Sequence, residues 1–153
     1  MPTRKTARTA TTTMDRLLGR IRDDECQIEH ETDGVARFRE RVAILNRYGP
    51  WAKAELERHE QLAAGSADPD FHARPVRELR AELDRLKPAC AFAAEALAHH
   101  ETGLESAAAS RATHLTALGR AVEALSTNVK DELLSHPDHH ARECAIRCLQ
   151  NRT

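Results

Sequence analysis

The sequence is poor in aromatic and β-branched residues, and this scarcity limits the fold classes open to it. Only five of its 153 residues are Phe, Tyr or Trp, and Val and Ile together number nine. Such side chains supply most of the packing of sandwiches and barrels, so an all-β domain is excluded. No apolar run approaches the roughly 20 residues that a membrane-spanning helix requires. What is abundant is Ala, Leu, Arg and Glu, which are strong helix formers.

The sequence also lacks an excess of charge of one sign, since 23 Lys and Arg residues face 24 Asp and Glu residues. Alanine accounts for 26 residues, so a predicted core is thin. We expect a single helical domain in the cytoplasm. The four cysteines are too few for a disulfide scaffold and are predicted to be buried free thiols; they are Cys26, Cys90, Cys144 and Cys148.

The first residues differ in composition from the rest of the chain. Arg4, Lys5 and Arg8 precede any acidic residue, and six of the first 13 residues are Thr. We interpret residues 1–12 as a basic, Thr-rich flexible arm that precedes a single helical domain at 13–150. Two alternatives for the arm are contact with nucleic acid or an acidic partner, and a targeting or export signal.

Two heptad seams, meaning apolar stripes that repeat every seven residues, organise the domain. The first seam contains Met14, Ile21, Ile28, Val35 and Val42, with Leu17, Phe38 and Leu45 at the complementary position. Asp24 and Glu31 occupy that complementary position too, which indicates imperfect closure and room for a partner. The second seam slips by four residues near 107–112 and contains Val76, Leu79, Leu83, Leu86, Cys90, Ala93 and Leu97, then Leu115, Leu118, Val122, Leu125 and Val129.

Prolines set the predicted helix boundaries, because the residue before a proline avoids the α region. Gly49-Pro50 is expected to end the first helix, and residues 65–74 are expected to form a loop. At Pro88 a kink or a break is possible, and we favour a break. The predicted helices are about 13–48, 51–64, 75–87, 89–134 and 137–150. They predict an all-α fold: a long antiparallel helical hairpin, or coiled-coil-like bundle, with shorter flanking helices.

Nine histidines invite a search for a metal site. The best pattern has four potential ligands at successive four-residue steps, which share one helix face: His136, His140, Cys144 and Cys148. Cys26 and His30 form a second such pair, and the two sets together would make a zinc site. However, Cys144 and Cys148 also fit an apolar stripe, where cysteine packs as a small hydrophobe. We therefore assign no metal site and no cofactor, and keep a zinc-stabilised bundle as an alternative.

Three polar residues lie on the second seam: His100, Arg111 and His114. Buried polar seam residues can fix the register and oligomeric state, and histidines can sense pH. The simpler interpretation, which we prefer, places each at the edge of the seam with its polar end in water.

The chain contains none of the local motifs of catalysis. There is no nucleophile elbow, P-loop or H-E-x-x-H sequence. Glu55 and His59, and likewise Glu95 and His99, are four residues apart, whereas a carboxylate-bridged di-metal bundle requires a spacing of three. We predict a protein that is not an enzyme and has no catalytic residues.

The function predicted from these patterns is helical protein–protein interaction through the seams, for assembly, adaptor or inhibitory binding. The expected partner is another protein or a second copy in a homo-oligomer, with no role for a membrane. The alternative is a nucleic-acid-associated accessory factor that uses the arm and the Arg37–Arg41 run. Elsewhere most of the 19 arginines alternate with acidic residues, as on a solvated helix face.

Overall fold

The computed structural model describes the backbone of residues 4–124 and the side chains of residues 13–124. This part of the chain consists of two long helices that pack together. Helix α1 spans Arg4–Gly65 (62 residues) and helix α2 spans Asp70–Glu123 (54 residues). No strand occurs between residues 4 and 124, so the prediction of an all-α protein is confirmed. Neither helix contains a stretch that is long and apolar enough to cross a membrane.

The packing divides the chain into two compact units, and each unit contains segments of both helices. Unit 1 comprises Met1–His30 and Gly103–Thr153, of which residues 4–30 and 103–124 are described. Unit 2 comprises Glu31–Thr102.

The core of unit 1 is formed by residues from both predicted seams. Met14 and Ile21 of α1 cluster with Leu118 and Val122 of α2, and each is at most 4% exposed. Partly buried apolar residues pack around them: Leu17, Leu18, Leu115 and Ala121. Burying a side chain of Leu or Ile size stabilises a fold by about 1.5–3 kcal/mol, so these residues hold the helices of unit 1 together.

Unit 2 has a thinner core. Its buried apolar residues are Val35 and Ala52 on α1 and Ala93 on α2. Alanine adds little hydrophobic area, but it allows two helix backbones to approach closely. The alanine-rich core expected from composition is therefore most evident here.

Helix α1 continues through Gly49-Pro50, and α2 continues through Pro75 and Pro88, so the predicted breaks at these sites are wrong. The physical reason is visible in the heptad frame. Ala52 falls seven residues after Leu45, on the same stripe, and is fully buried, whereas Pro50 and Pro88 are exposed. A break at either proline would disturb a stripe that keeps its phase, while water can solvate the carbonyl that loses its hydrogen bond.

The ends of the helices also differ from the predictions. Helix α1 begins at Arg4, so the backbone of residues 4–12 is helical where we predicted a flexible arm. The predicted loop at 65–74 shrinks to residues 66–69, in which the Ser66 hydroxyl donates to the Asp68 carbonyl (3.1 Å) and accepts from the Asp68 N–H (3.0 Å). The predicted helix at 137–150 and the end of the one at 89–134 lie outside the described residues.

We predict that Pro50→Ala and Pro88→Ala each increase the free energy of unfolding by about 2 kcal/mol, because alanine restores a backbone donor within a continuous helix. Urea unfolding followed by circular dichroism measures this change. Gln61→Ala, at another exposed position of α1, serves as the control and should change stability by less than about 0.5 kcal/mol. A loss of stability in either proline variant would mean that the helix is interrupted there.

Candidate functional site

In unit 2, the seam acid Glu31 is buried and pairs with a histidine of α2. Its side chain is 7% exposed, and its Oε2 lies 2.7 Å from Nδ1 of His100, whose side chain is 16% exposed. The imidazole Nδ1–H donates to the carboxylate. Burying a carboxylate is costly unless it is hydrogen-bonded, and His100 supplies that bond from the facing helix.

The His100 ring is held from two further sides by residues of α1. Phe38 stacks on it with the ring centroids 5.5 Å apart and the planes inclined by 23°. A Cβ added at Gly34 would lie 2.6 Å from both Cγ and Cε1 of the ring, so only glycine leaves room for it. Glu31, Gly34 and Phe38 therefore form a fitted seat for one histidine.

Unit 1 contains the equivalent pair. Oδ2 of Asp24 lies 2.6 Å from Nδ1 of His114, and the two side chains are 14% and 20% exposed. Next to this pair, Oε1 of Glu25 accepts hydrogen bonds from Nε and Nη2 of Arg111 at 3.1 and 2.9 Å. We expected Asp24 and Glu31 to leave the seam open, but α2 provides a polar partner for each. His100 and His114, which we expected at the edge of the seam, are 16% and 20% exposed, and each bonds to its acid through Nδ1.

The cysteine and histidine residues considered for zinc are only partly described. Cys26 is an exposed free thiol rather than a buried one, and Cys90 is partly buried. His30 is exposed, and the predicted ligands His136, His140, Cys144 and Cys148 lie outside the described residues. The zinc-stabilised bundle therefore stays a prediction. The side chains of Arg4, Lys5 and Arg8, on which nucleic-acid binding depends, are also outside the described part.

A contact between two histidines occurs where the two helices meet the connecting loop. Nδ1 of His59 lies 3.2 Å from Nδ1 of His72, and the Glu55 carboxylate lies 4.0 Å from Nε2 of His59. Sequence reasoning missed this pair because it placed His72 in a loop, whereas His72 lies in the first turn of α2. One imidazole ring donates a hydrogen bond and the other accepts it, so the pair links the end of α1 to the start of α2.

Five large apolar side chains of unit 2 are exposed, and three of them lie on one face. Ile44, Trp51 and Phe92 are 50%, 53% and 62% exposed. They belong to two adjoining grooves that share Ile44. The first is an open groove of about 630 Å³ that is lined by Arg37, Phe38, Glu40, Arg41, Ile44, Leu45 and Phe92. The second is shallower and is lined by Ile44, Arg47, Tyr48 and Trp51. We call these two grooves the outer face of unit 2.

This face was not predicted from the sequence. Its signal was present, because Arg37, Arg41, Ile44, Tyr48 and Trp51 follow the same alternation of four and three residues as a seam. Spacing alone could not show that Trp51 would stay exposed while the neighbouring Ala52 became buried.

We predict that Gly34→Ala lowers the free energy of unfolding by about 1–2 kcal/mol, because the new methyl group displaces the His100 ring from its seat. Gly19→Ala is the matched control. Nothing lies within 4 Å of a Cβ at Gly19, so alanine there should stabilise the helix by about 0.5–1 kcal/mol. Chemical unfolding measures both. A stabilising Gly34→Ala would show that the histidine seat does not exist.

We expect strong coupling between Glu31 and His100 in a double-mutant cycle with leucine. Each single change removes one partner of a buried pair and should cost about 1–3 kcal/mol, while the double change should cost at least about 1 kcal/mol less than their sum. Arg39 and Glu101 provide the control cycle, since their ion pair is exposed (68% and 47%) and should couple by less than about 1 kcal/mol. Equal coupling in the two cycles would contradict the burial of Glu31.

The single tyrosine allows a contact between the helices to be measured by pH titration. The Tyr48 hydroxyl donates a hydrogen bond to the Glu82 carboxylate, which favours the protonated phenol and raises the pKa of Tyr48 above its usual 10.0. Glu82→Gln should therefore lower the pKa of Tyr48, measured by phenolate absorbance while circular dichroism confirms the fold. Asp84→Asn, which removes the same charge two residues away, should lower it less. An unchanged value in Glu82→Gln would contradict the contact.

No known protein family, curated protein or solved structure matches this chain. No relative therefore lends it a function. Only the geometry of its own residues bears on what it does.

Proposed function

We propose that this chain is a non-enzymatic helical protein–protein interaction module built on an antiparallel helical hairpin. The exposed apolar face of unit 2 is the observation that carries the proposal. Trp51, Ile44 and Phe92 are large side chains that gain most from leaving water, yet half or more of each is exposed. A contiguous exposed apolar surface on a soluble domain is typical of a binding site.

The contacts within each unit support the hairpin. In unit 2, Glu60 of α1 pairs with Arg80 of α2 at 2.6 Å, and the earlier Glu31 pairs with the later His100. In unit 1, Asp24 pairs with His114, while the following Glu25 pairs with the earlier Arg111. In both units, residues later in α1 meet residues earlier in α2, as in antiparallel helices joined by a short loop.

The location of the apolar residues refines which surface binds. Met14 and Ile21 of the first seam are buried against Leu118 and Val122 of the second. These seam residues hold the two helices to each other and are not free for a partner. Assembly, adaptor or inhibitory binding then uses the outer face of unit 2, which lies beside the seams and retains its exposed apolar area.

The test is to replace the exposed apolar side chains and measure assembly. Light scattering measures the mass of the purified full chain, and of the chain isolated from its native source together with any bound proteins. Each measurement is repeated with the variant Trp51→Glu/Phe92→Glu. We expect the wild type to form a stoichiometric complex, with a second copy or another protein, and the variant to lose it. The control Ala36→Glu/Ala94→Glu adds the same charge at exposed positions that do not line either groove. A wild-type chain that is monomeric and has no companion would refute the proposal, as would a complex that survives in the variant.

A further inference from the structure

The outer face of unit 2 combines apolar anchors with an excess of positive charge. Arg37 and Arg41 line the first groove beside a single acid, Glu40, and Arg47 lines the second. Among the residues whose side chains are described, none of the three arginines forms an ion pair with a carboxylate. This contrasts with Arg39, which pairs with Glu101, and with Arg80, which pairs with Glu60.

The arrangement of these residues matches the shape of a helix. Arg37, Arg41, Ile44, Tyr48 and Trp51 form one stripe along α1, which extends over about 21 Å at 1.5 Å per residue. Phe92 of α2 contacts Phe38 edge-on, with the ring centroids 6.2 Å apart, and forms the opposite wall of the first groove. An amphipathic helix that lies in such a groove inserts side chains at every third or fourth position.

We infer that the outer face of unit 2 binds an acidic amphipathic helix of a partner protein. The inference rests on the proposed function and adds the chemistry of the partner. Apolar side chains of that helix pack on Ile44, Trp51 and Phe92, and its flanking carboxylates pair with Arg37, Arg41 and Arg47. A second copy of the chain is a poorer occupant, because each of two identical faces brings three arginines against Glu40 and the Glu82 carboxylate at Tyr48, an excess of positive charge on both sides.

Charge and apolar contacts have separate roles in this interaction. The arginines select an acidic helix and exclude a basic one, because like charges brought together across an interface are unfavourable. Ile44 and Phe92 supply apolar area that is partly hydrated in the free chain and dehydrated on binding. Binding is therefore expected to weaken with salt and to persist in part when the ionic contribution is screened.

The single tryptophan, Trp51, is a natural reporter for the test. The full chain is titrated with a synthetic helical peptide of about 18 residues that has leucines on one face and glutamates beside them. A second peptide with the same leucines has lysine in place of every glutamate. We expect the acidic peptide to change Trp51 fluorescence saturably and to bind at least about tenfold more tightly than the basic peptide.

Variants separate the two contributions. Arg37→Glu/Arg41→Glu should weaken binding of the acidic peptide by at least about tenfold and reverse the preference between peptides. Arg20→Glu/Arg22→Glu, which makes the same charge change at exposed residues of unit 1, should leave it unchanged within about twofold. Phe92→Ala should weaken binding of the acidic peptide by about tenfold, because it removes an apolar anchor.

Several outcomes would overturn this inference. None of them decides the proposed function, which has its own test in the light-scattering experiment. Equal binding of the two peptides would show that the face does not select its partner by charge. If neither peptide binds, the face does not bind an amphipathic helix. Self-association that Trp51→Glu abolishes would assign the face to a second copy. Saturable binding of anionic vesicles or single-stranded DNA, with none of the acidic peptide, would assign it to those ligands.

Discussion

A carboxylate that is buried between two helices must receive a hydrogen bond from the facing helix, and the pairing of α1 and α2 in unit 2 depends on this requirement. Glu31 is 7% exposed, and His100 meets it at 2.7 Å. The apolar core of unit 2 is thin, since its fully buried members are Ala52 and Ala93. Small apolar residues tolerate a shift along the helix axis far better than a buried charge does. The polar pair therefore specifies the register, and the apolar residues supply cohesion.

In unit 1, too, apolar residues supply cohesion and a polar pair supplies specificity, but the apolar part is larger. There a larger apolar cluster is centred on Ile21 and Leu118, and Asp24 and His114 form the polar pair. Leaving either carboxylate without its partner would cost on the order of 1–3 kcal/mol, a substantial fraction of the stability of a small domain. Each unit thus combines apolar packing with a pair formed by a carboxylate and a histidine from facing helices.

Because the seams are occupied by contacts between α1 and α2, what is left for recognition lies beside them. On the outer face of unit 2, Ile44, Trp51 and Phe92 remain exposed next to arginines that have no carboxylate partner among the described side chains. A chain with so few large apolar side chains could have buried these three in its thin core. Their exposure is the basis for proposing that they bind another protein.

The helical class follows from composition, because the abundant residues are helix formers. The core residues Met14, Ile21, Leu118 and Val122 follow from the seven-residue repeat, which selects one helix face. The sequence also identified Asp24, Glu31, His100 and His114 as polar residues on seams. It could not pair them, since pairing depends on the alignment of two helices that are distant in sequence. That alignment depends on how α1 and α2 pack against each other, and so do the continuity of the helices through Pro50 and Pro88 and the exposure of Trp51. In each case packing between the two helices outweighed the local conformational preference of the residues. A sequence examined one segment at a time reveals only those local preferences.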